Sequence, residues 1–346
     1  MIGDGMGPEQ IAAAGIYDHG EPGTLHMESL PVHAKIETAS ASGLTDSAAA
    51  ATAMACGVSC NNYRVGEDSE GQPADNVVDL AHEGGWRTGV ISTAAITHAT
   101  PAAFTAYQRS RYDQLGIAED QVTRSKPHVL LGGGAAYFLP KGEGSARNDD
   151  GLVDAIDQAG YAIVANADEL ADATTDPDTD RLFGTFALDH MTMVRSRTPE
   201  IGEPTLPEMT RAALRVLDRD GASFFLMIEG GRIDHGGHHN SIEDVVFETL
   251  AFDEAVAAVM KWMKGRDYVT LIITADHETG GLSIVEPRGA GRMPAVTWKS
   301  GEHTGVDIHM FGAGPGLEPL AGERRHHLWV NAVIRARITG NPFTAP

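Results

Sequence analysis

Several clusters in this chain have the residue types and spacing to do chemistry. Asp276 and His277 directly follow the apolar run Leu271–Ala275. An acid and an imidazole at the carboxyl end of a buried strand are costly to desolvate unless something compensates them. A divalent cation does so, and carboxylate oxygen with imidazole nitrogen suits zinc. A hydrogen-bonded strand-end pair is the bland alternative. A second cluster, Glu229-Gly230-Gly231-Arg232-Ile233-Asp234-His235-Gly236-Gly237-His238-His239, follows the apolar run Phe224–Ile228. Asp234 and His238 are four apart, so a helical turn would set them on one face. The two glycine pairs let backbone close around a small ion. Alone this is a polar loop with incidental histidines; beside Asp276-His277 it reads as a metal site. Asp4, in Gly3-Asp4-Gly5, ends a strand-like stretch, with an Asx turn as the alternative. His303, in Gly301-Glu302-His303-Thr304-Gly305, is a lone loop histidine, for which a surface position is the default.

Ser47 is the candidate nucleophile. It precedes an alanine-rich run that ends at Gly57, a good helix with a natural stop. At a helix N-terminus, free backbone N–H groups and the dipole favour an anion, whether a serine alkoxide or a phosphoserine. An ordinary N-cap serine is the commoner reason for a Ser in that place. In Ile96-Thr97-His98-Ala99-Thr100-Pro101 the proline fits the first turn of a helix. Arg111, further along, has the fork to hold two phosphoryl oxygens, or it is simply solvated.

These residues need a frame. Short apolar β-rich runs lie at Gly89–Ser92, His128–Leu131, Phe224–Ile228, Val269–Thr274 and Ile308–Phe311. Helical patterns lie around Asp75–Glu83, Pro207–Asp220, Ile242–Lys264 and Arg325–Ile338. In the long one, Val245, Val246, Leu250, Ala257, Met260 and Met263 supply much of an apolar stripe. The alternation predicts an α/β fold, a largely parallel sheet with helices on both faces, whose ligands gather at the carboxyl ends of strands. The strand before Asp4 is almost absent, so the first strand reads as truncated. The acidic stretch Asn166–Asp180 reads as an exposed loop or a poorly ordered segment. One domain over 1–346, with an insertion around 135–210, is the simplest organisation.

Composition bounds the rest. The chain has 346 residues, 42% hydrophobic and 21% charged, enough apolar material for a real core. No stretch approaches a membrane span. No basic segment followed by an apolar run marks a signal peptide. A net charge of −22 argues against a nucleic-acid-binding surface. Arginines outnumber lysines 20 to 6, which either a saline habitat or a GC-rich genome would produce. Two cysteines, Cys56 and Cys60, do not make a disulfide scaffold and read as free.

Taken in order, from Gly3-Asp4-Gly5-Met6-Gly7 through Asp46-Ser47-Ala48-Ala49-Ala50 and the Asp-His groups to His303-Thr304-Gly305, these elements resemble the alkaline phosphatase family. The resemblance is weakest over 135–210. It implies Ser47 as the nucleophile that becomes phosphoserine and Arg111 as the phosphate clamp. It implies two zinc ions, one on Asp234, His238 and His303, the other on Asp276, His277 and Asp4 with Ser47 close by. It implies one magnesium on Asp4, Thr100 and Glu229. His98 is expected beside that ion and His235 beside the phosphate, where some members carry Asp and Lys. In the family, histidine at the first of these positions accompanies changed metal preference and weaker phosphate retention. The implied activity is hydrolysis of small phosphate monoesters at alkaline pH, releasing inorganic phosphate. Family members are usually exported to the periplasm or medium and are homodimers. A sulfatase is disfavoured because Ser47 is followed by four alanines rather than a Ser-x-Pro-x-Arg context. A phosphodiesterase or nucleotide pyrophosphatase of the same superfamily, or a non-catalytic metal- or phosphate-binding protein, are the remaining alternatives.

Overall fold

Apolar, β-rich runs bounded by turns become the strands of one ten-stranded sheet in the computed structural model, which describes residues 1–346. In chain order they are β1 (Ile2–Gly3), β2 (Val32–Glu37), β3 (Arg87–Ala95), β4 (Val129–Gly133) and β5 (Ala162–Val164). They continue with β6 (Leu182–Thr185), β7 (Phe224–Gly230), β8 (Leu271–Ala275), β9 (Ile308–Ala313) and β10 (Arg324–His326). Their spatial order is β10-β2-β9-β8-β1-β7-β3-β4-β6-β5. Every neighbouring pair is parallel except those made by β9, which runs antiparallel to both β8 and β2. The fold is therefore α/β, with a large, mostly parallel central sheet flanked by helices, as the alternation predicts.

The central strands are apolar throughout because both of their faces are covered. Val90, Ile91, Leu130, Leu131 and Ile273 are completely buried. One cluster of 68 buried apolar residues runs through the molecule, and it includes Phe138, Ile156, Leu170, Leu182 and Phe183 from the 135–210 region. Residues β1 contributes pair on both sides: Ile2 faces Glu229 of β7 and Thr274 of β8. That pairing puts Asp4 at the carboxyl edge between the two ligand-bearing strands.

Two expectations need correction. The acidic stretch is a loop only from Asp176 to Asp180: Ala167–Thr175 is a helix, capped by Asn166, whose side chain accepts from the Glu169 N–H. Leu170 anchors it in the core, while its acids face water at little cost. The long helix Ile242–Met263 buries Val245 and Val246 as expected, but beyond them a different stripe. Its seam is Val245, Thr249, Phe252, Val256 and Val259, with Leu250, Ala257, Met260 and Met263 only half-buried. The actual spacing of four, three, four and three keeps one face toward the sheet.

Both cysteines are free and buried, and burial pushes the Cys60 thiol up to about 12. A cavity of about 550 Å³ lies at the amino-terminal ends of β7 and β8, lined largely by apolar residues such as Phe224, Leu226, Leu271 and Trp262. It holds none of the candidate site residues, so its size does not mark the chemistry. No helix is long and apolar enough to cross a membrane.

Candidate active site

Strand ends bring the ligand-type residues together. Asp4 follows β1, Glu229 lies at the end of β7, and Asp276-His277 follow β8. Gly5 takes φ +69, and a side chain there would meet the Asp234 backbone at 2.7 Å. Its N–H donates to Asp276 Oδ1 at 3.0 Å, which clamps the β1 turn onto the end of β8.

After β7 the chain turns directly into the helix Arg232–His238, so Asp234 and His238 do share a face. His238 Nε2 lies 3.2 Å from Asp234 Oδ2. His303 is no surface histidine: it pairs with Thr279 in a short two-stranded ladder and only 16% of its side chain is exposed. Its Nε2 faces His238 Nε2 at 3.2 Å. Each of these rings turns Nδ1 to a backbone carbonyl, His238 to Gly301 at 2.6 Å and His303 to Thr45 at 3.1 Å. A ring whose Nδ1–H donates to a carbonyl leaves Nε2 as a bare lone pair. In that tautomer the two Nε2 atoms converge beside the Asp234 carboxylate as a cation could use them; without an ion, a proton on His238 Nε2 fills the same place.

The second group is buried completely. His277 Nε2 lies 3.2 Å from Asp276 Oδ2 and 3.7 Å from Asp4 Oδ1. A third group joins Asp4, Glu229 and His98. Here His98 stands nearer than expected, within reach of that group, although its Nε2 is taken by Arg111. Thr100 contributes a buried hydroxyl with no partner.

The donor atoms test whether metal fits. Both carboxylate oxygens of Asp4, Oδ2 of Asp276, Oε1 of Glu229 and Oγ1 of Thr100 are buried without a hydrogen-bond partner. Oxygen donors stranded in this way, beside imidazole nitrogens, fit divalent cations. The electrostatics agree. Burial, then Asp276, Asp234 and Glu229, push the Asp4 carboxyl well above its usual range. Burial pushes Glu229 up to about 7. Burial would also raise Asp234, but His238, His277 and His303 together hold it well below the ordinary value. The hydrogen bond to Asp234 raises His238 to about 9.

Ser47 faces this array. It is the first residue of the helix Ser47–Cys56, and the cap before it is Asp46, not Ser47. Asp46 Oδ1 accepts from the Ala49 N–H at 3.0 Å. That leaves the Ser47 hydroxyl free of capping, 3.2 Å from His277 Nε2. Arg111 is bound on two sides, to Asp46 Oδ2 at 3.0 Å and to His98 Nε2 at 3.0 Å. Since a guanidinium only donates, His98 accepts through Nε2. Burial, then Arg111, holds His98 well below its ordinary pKa. His235 lies on the same side: its ring is 5.8 Å from that of His98, and Arg232 donates to its Nδ1 at 2.6 Å. Burial and Arg232 bring His235 down to about 3, so it is neutral.

All the sequence-selected residues thus converge. Others lie among them that the sequence did not single out. Asp46 had a signal, since an acid before a helix is a cap type. Ser92 donates to Glu229 and Thr279 to Asp234, but nothing in their local sequence marks them. His190 lies against His235, with ring centroids 4.5 Å apart and planes tilted at 56°, from a segment with no regular structure.

A serine at a helix N-terminus thus faces three carboxylate–imidazole groups that could each hold a metal ion, at the carboxyl edge of a mostly parallel sheet. The chain belongs to the alkaline phosphatase family, whose profile, described as "Alkaline phosphatase", matches residues 1–294. It is 37% identical over 246 residues to Alkaline phosphatase 3 of Bacillus subtilis (strain 168), covering 70% of this chain and 50% of that protein. It is 32% identical over 331 residues to the repressible alkaline phosphatase of Saccharomyces cerevisiae, covering 86% of this chain and 57% of that protein. The chain therefore spans about half the length of these curated relatives. Its structure matches the alkaline phosphatase from the Antarctic bacterium TAB5 with a TM-score of 0.88 at 27% identity, covering 99% of this chain and 97% of that one.

Proposed function

We propose that this protein is a metal-dependent phosphate monoesterase that works through a phosphoserine on Ser47. The observation that carries this reading is the uncapped Ser47 hydroxyl, 3.2 Å from His277 Nε2 within the donor array. In this reading Asp234, His238 and His303 hold one zinc, and Asp4, Asp276 and His277 hold a second next to Ser47. Asp4, Thr100 and Glu229 hold a magnesium, with His98 at its side. The ions, when bound, supply Lewis acidity that favours an alkoxide and neutralises charge on phosphoryl oxygens.

The chain's own residues do the rest. Ser47 Oγ, its proton lost, forms a bond to phosphorus as the ester P–O bond breaks; the leaving oxygen takes the electron pair and, by way of water, a proton, and departs as the alcohol. Water then cleaves the phosphoserine, returning Ser47 and releasing inorganic phosphate. The helix N-terminus under Ser47 favours the negative charge on both species. Arg111, already oriented by Asp46 and His98, forks equatorial oxygens whose charge must be stabilised in a loose transition state. His235, neutral and oriented by Arg232, sits by the phosphate without adding a fixed positive charge. A site lacking that charge should release phosphate more readily than one bearing lysine.

A single assay panel tests this reading: an aryl phosphate, a bis-aryl phosphate and an aryl sulfate, each with zinc and magnesium present. Turnover of the monoester above the other two is expected. Preference for the diester would instead make it a phosphodiesterase, and metal binding without turnover a binding protein. Small monoesters as substrates, one domain with an insertion around 135–210, export and a homodimer belong to the same reading; mass in solution tests the last.

A further inference from the structure

Exposed apolar side chains lie on the segments that flank Ser47 and Arg111. Leu44, Tyr63 and Tyr112 are 48%, 53% and 73% exposed. Leu44 leads into the helix that carries Ser47, and Tyr112 directly follows Arg111. Tyr63 is tied to both: its N–H donates to Asp46 Oδ2 at 3.1 Å and its carbonyl accepts from the Arg111 N–H at 2.7 Å. The two tyrosine rings stack on each other, with centroids 5.9 Å apart and planes at 29°. Neither belongs to the apolar core.

This arrangement is costly to build. Tyr63 has φ +70, in the left-handed region that a bulky residue adopts only under constraint. Its two backbone hydrogen bonds supply part of that constraint. The neighbouring Asn62 supplies more, accepting from Ser40 Oγ at 2.7 Å and donating to the Leu44 carbonyl at 2.8 Å. Strain held in place from several sides is a mark of functional positions. The product here is a fixed pair of rings, anchored to the acid that precedes the nucleophile and to the arginine that would grip phosphate.

We propose that Tyr63 and Tyr112 form an aromatic ledge that stacks the ring of a leaving group, so that ring-bearing phosphate monoesters, aryl or nucleoside, are the preferred substrate class. The proposal rests on the phosphomonoesterase reading for the phosphate's position. With phosphate held between Ser47 and Arg111, the ester oxygen leads outward and a planar group settles on the exposed face of Tyr112. Every aromatic ring or nucleobase has a face to offer, so the ledge selects for a ring and not for one particular base. Because the contact is made equally before and during reaction, it acts on KM more than on kcat.

The test compares phenylphosphonate with methylphosphonate by calorimetry on the zinc- and magnesium-loaded protein. Neither compound is hydrolysed, so the readout is independent of turnover. The parent should bind phenylphosphonate about twofold to tenfold more tightly, the range ring stacking supplies. Tyr112→Ala should bring that ratio toward one, and Tyr112→Phe, which keeps the ring, should retain it. Equal affinities in the parent, or a preference that survives Tyr112→Ala combined with Tyr63→Ala, would overturn the ledge. So would a parallel loss of both affinities, since the ring would then only prop Arg111. Turnover of phenyl phosphate addresses the other reading separately: a ring preference without turnover keeps the ledge and removes the phosphomonoesterase.

Discussion

Asp46, the residue immediately before Ser47 in sequence, meets Arg111 at 3.0 Å through Oδ2 and Nη1. The same Asp46 caps the Ser47 helix and holds the Tyr63 N–H. One carboxylate thereby fixes the helix that carries Ser47, the arginine that faces it and the loop that bears an exposed ring. A guanidinium oriented before substrate arrives loses less freedom on binding it.

Replacing that carboxylate separates its roles. Asp46→Ala removes the cap, worth about 1 kcal/mol, and strands a largely buried guanidinium, for a total of about 3 kcal/mol or more. Asp46→Asn keeps a good cap and loses only the charge, so it should cost less. Chemical denaturation of both variants measures this; equal stabilities for the two would contradict the assigned roles.

Ser47→Ala should lower kcat by at least about a thousandfold, because the group that bonds to phosphorus is gone. Metal content should remain, since the carboxylates and histidines are untouched. Acid quenching of the parent with labelled substrate should leave phosphate on Ser47. A label on any other residue would defeat the nucleophile assignment.

Metal removal should destabilise the fold. Asp4, Glu229 and Asp276 are fully buried, and their unpartnered oxygens need a counter-charge. A chelator should lower the melting temperature, and added zinc should restore it. An ion at a hundred times its Kd contributes about 2.7 kcal/mol. Scanning calorimetry with and without chelator checks this, and an unchanged melting temperature would show that the acids are satisfied without ions.

Glu248 lies away from the donor array on the long helix, where its Oε1 accepts from the Val194 N–H at 2.7 Å. Burial pushes it up to about 7 from an ordinary 4.5, despite that hydrogen bond and the nearby Arg197 and Arg232. Between these two values the native chain keeps a proton that the unfolded chain has released. Stability from this group therefore falls as pH rises across that window, by about 3 kcal/mol at most, and stays flat above it. Glu248→Gln keeps an acceptor for Val194 and abolishes the titration. Urea unfolding at pH 5 and pH 8 should show a smaller difference in the variant than in the parent; identical differences would refute the assignment.

Much of this frame was legible in sequence because parallel strands are covered on both faces and read as unbroken apolar runs. Phe224–Ile228 and Leu271–Ala275 announced themselves in that way, and each led straight into its ligands. Val32–Glu37 did not, because it alternates Val32, Ala34 and Ile36 with His33, Lys35 and Glu37, a half-buried strand with no unbroken apolar run. Helix Pro8–His19 was hidden by small residues that carry little amphipathic signal. Within the site, Asp276-His277 and the Asp234/His238 spacing are local and visible. Ser92, Thr279 and His190 act across distant segments, where only the folded chain brings them to Glu229, Asp234 and His235. The role of Asp46 in gripping Arg111 spans 65 residues and has no local signature either.

The donor groups sit at two depths. Asp4, Asp276 and His277 are fully enclosed at the ends of adjoining strands of the main sheet. His238 has 33% of its side chain in contact with solvent, and His303 hangs on a ladder that pairs Glu278–Thr279 with His303–Thr304 outside that sheet. An ion held by the outer set would meet water directly and would depend on a ladder of four residues. An ion in the inner set leaves only when the strands themselves part. Were the proposed ions bound, the protein would keep the inner ones as residents and hold the outer one on loan. In metal-poor surroundings it would idle as a folded, half-charged form, ready to restart when the outer ion returns.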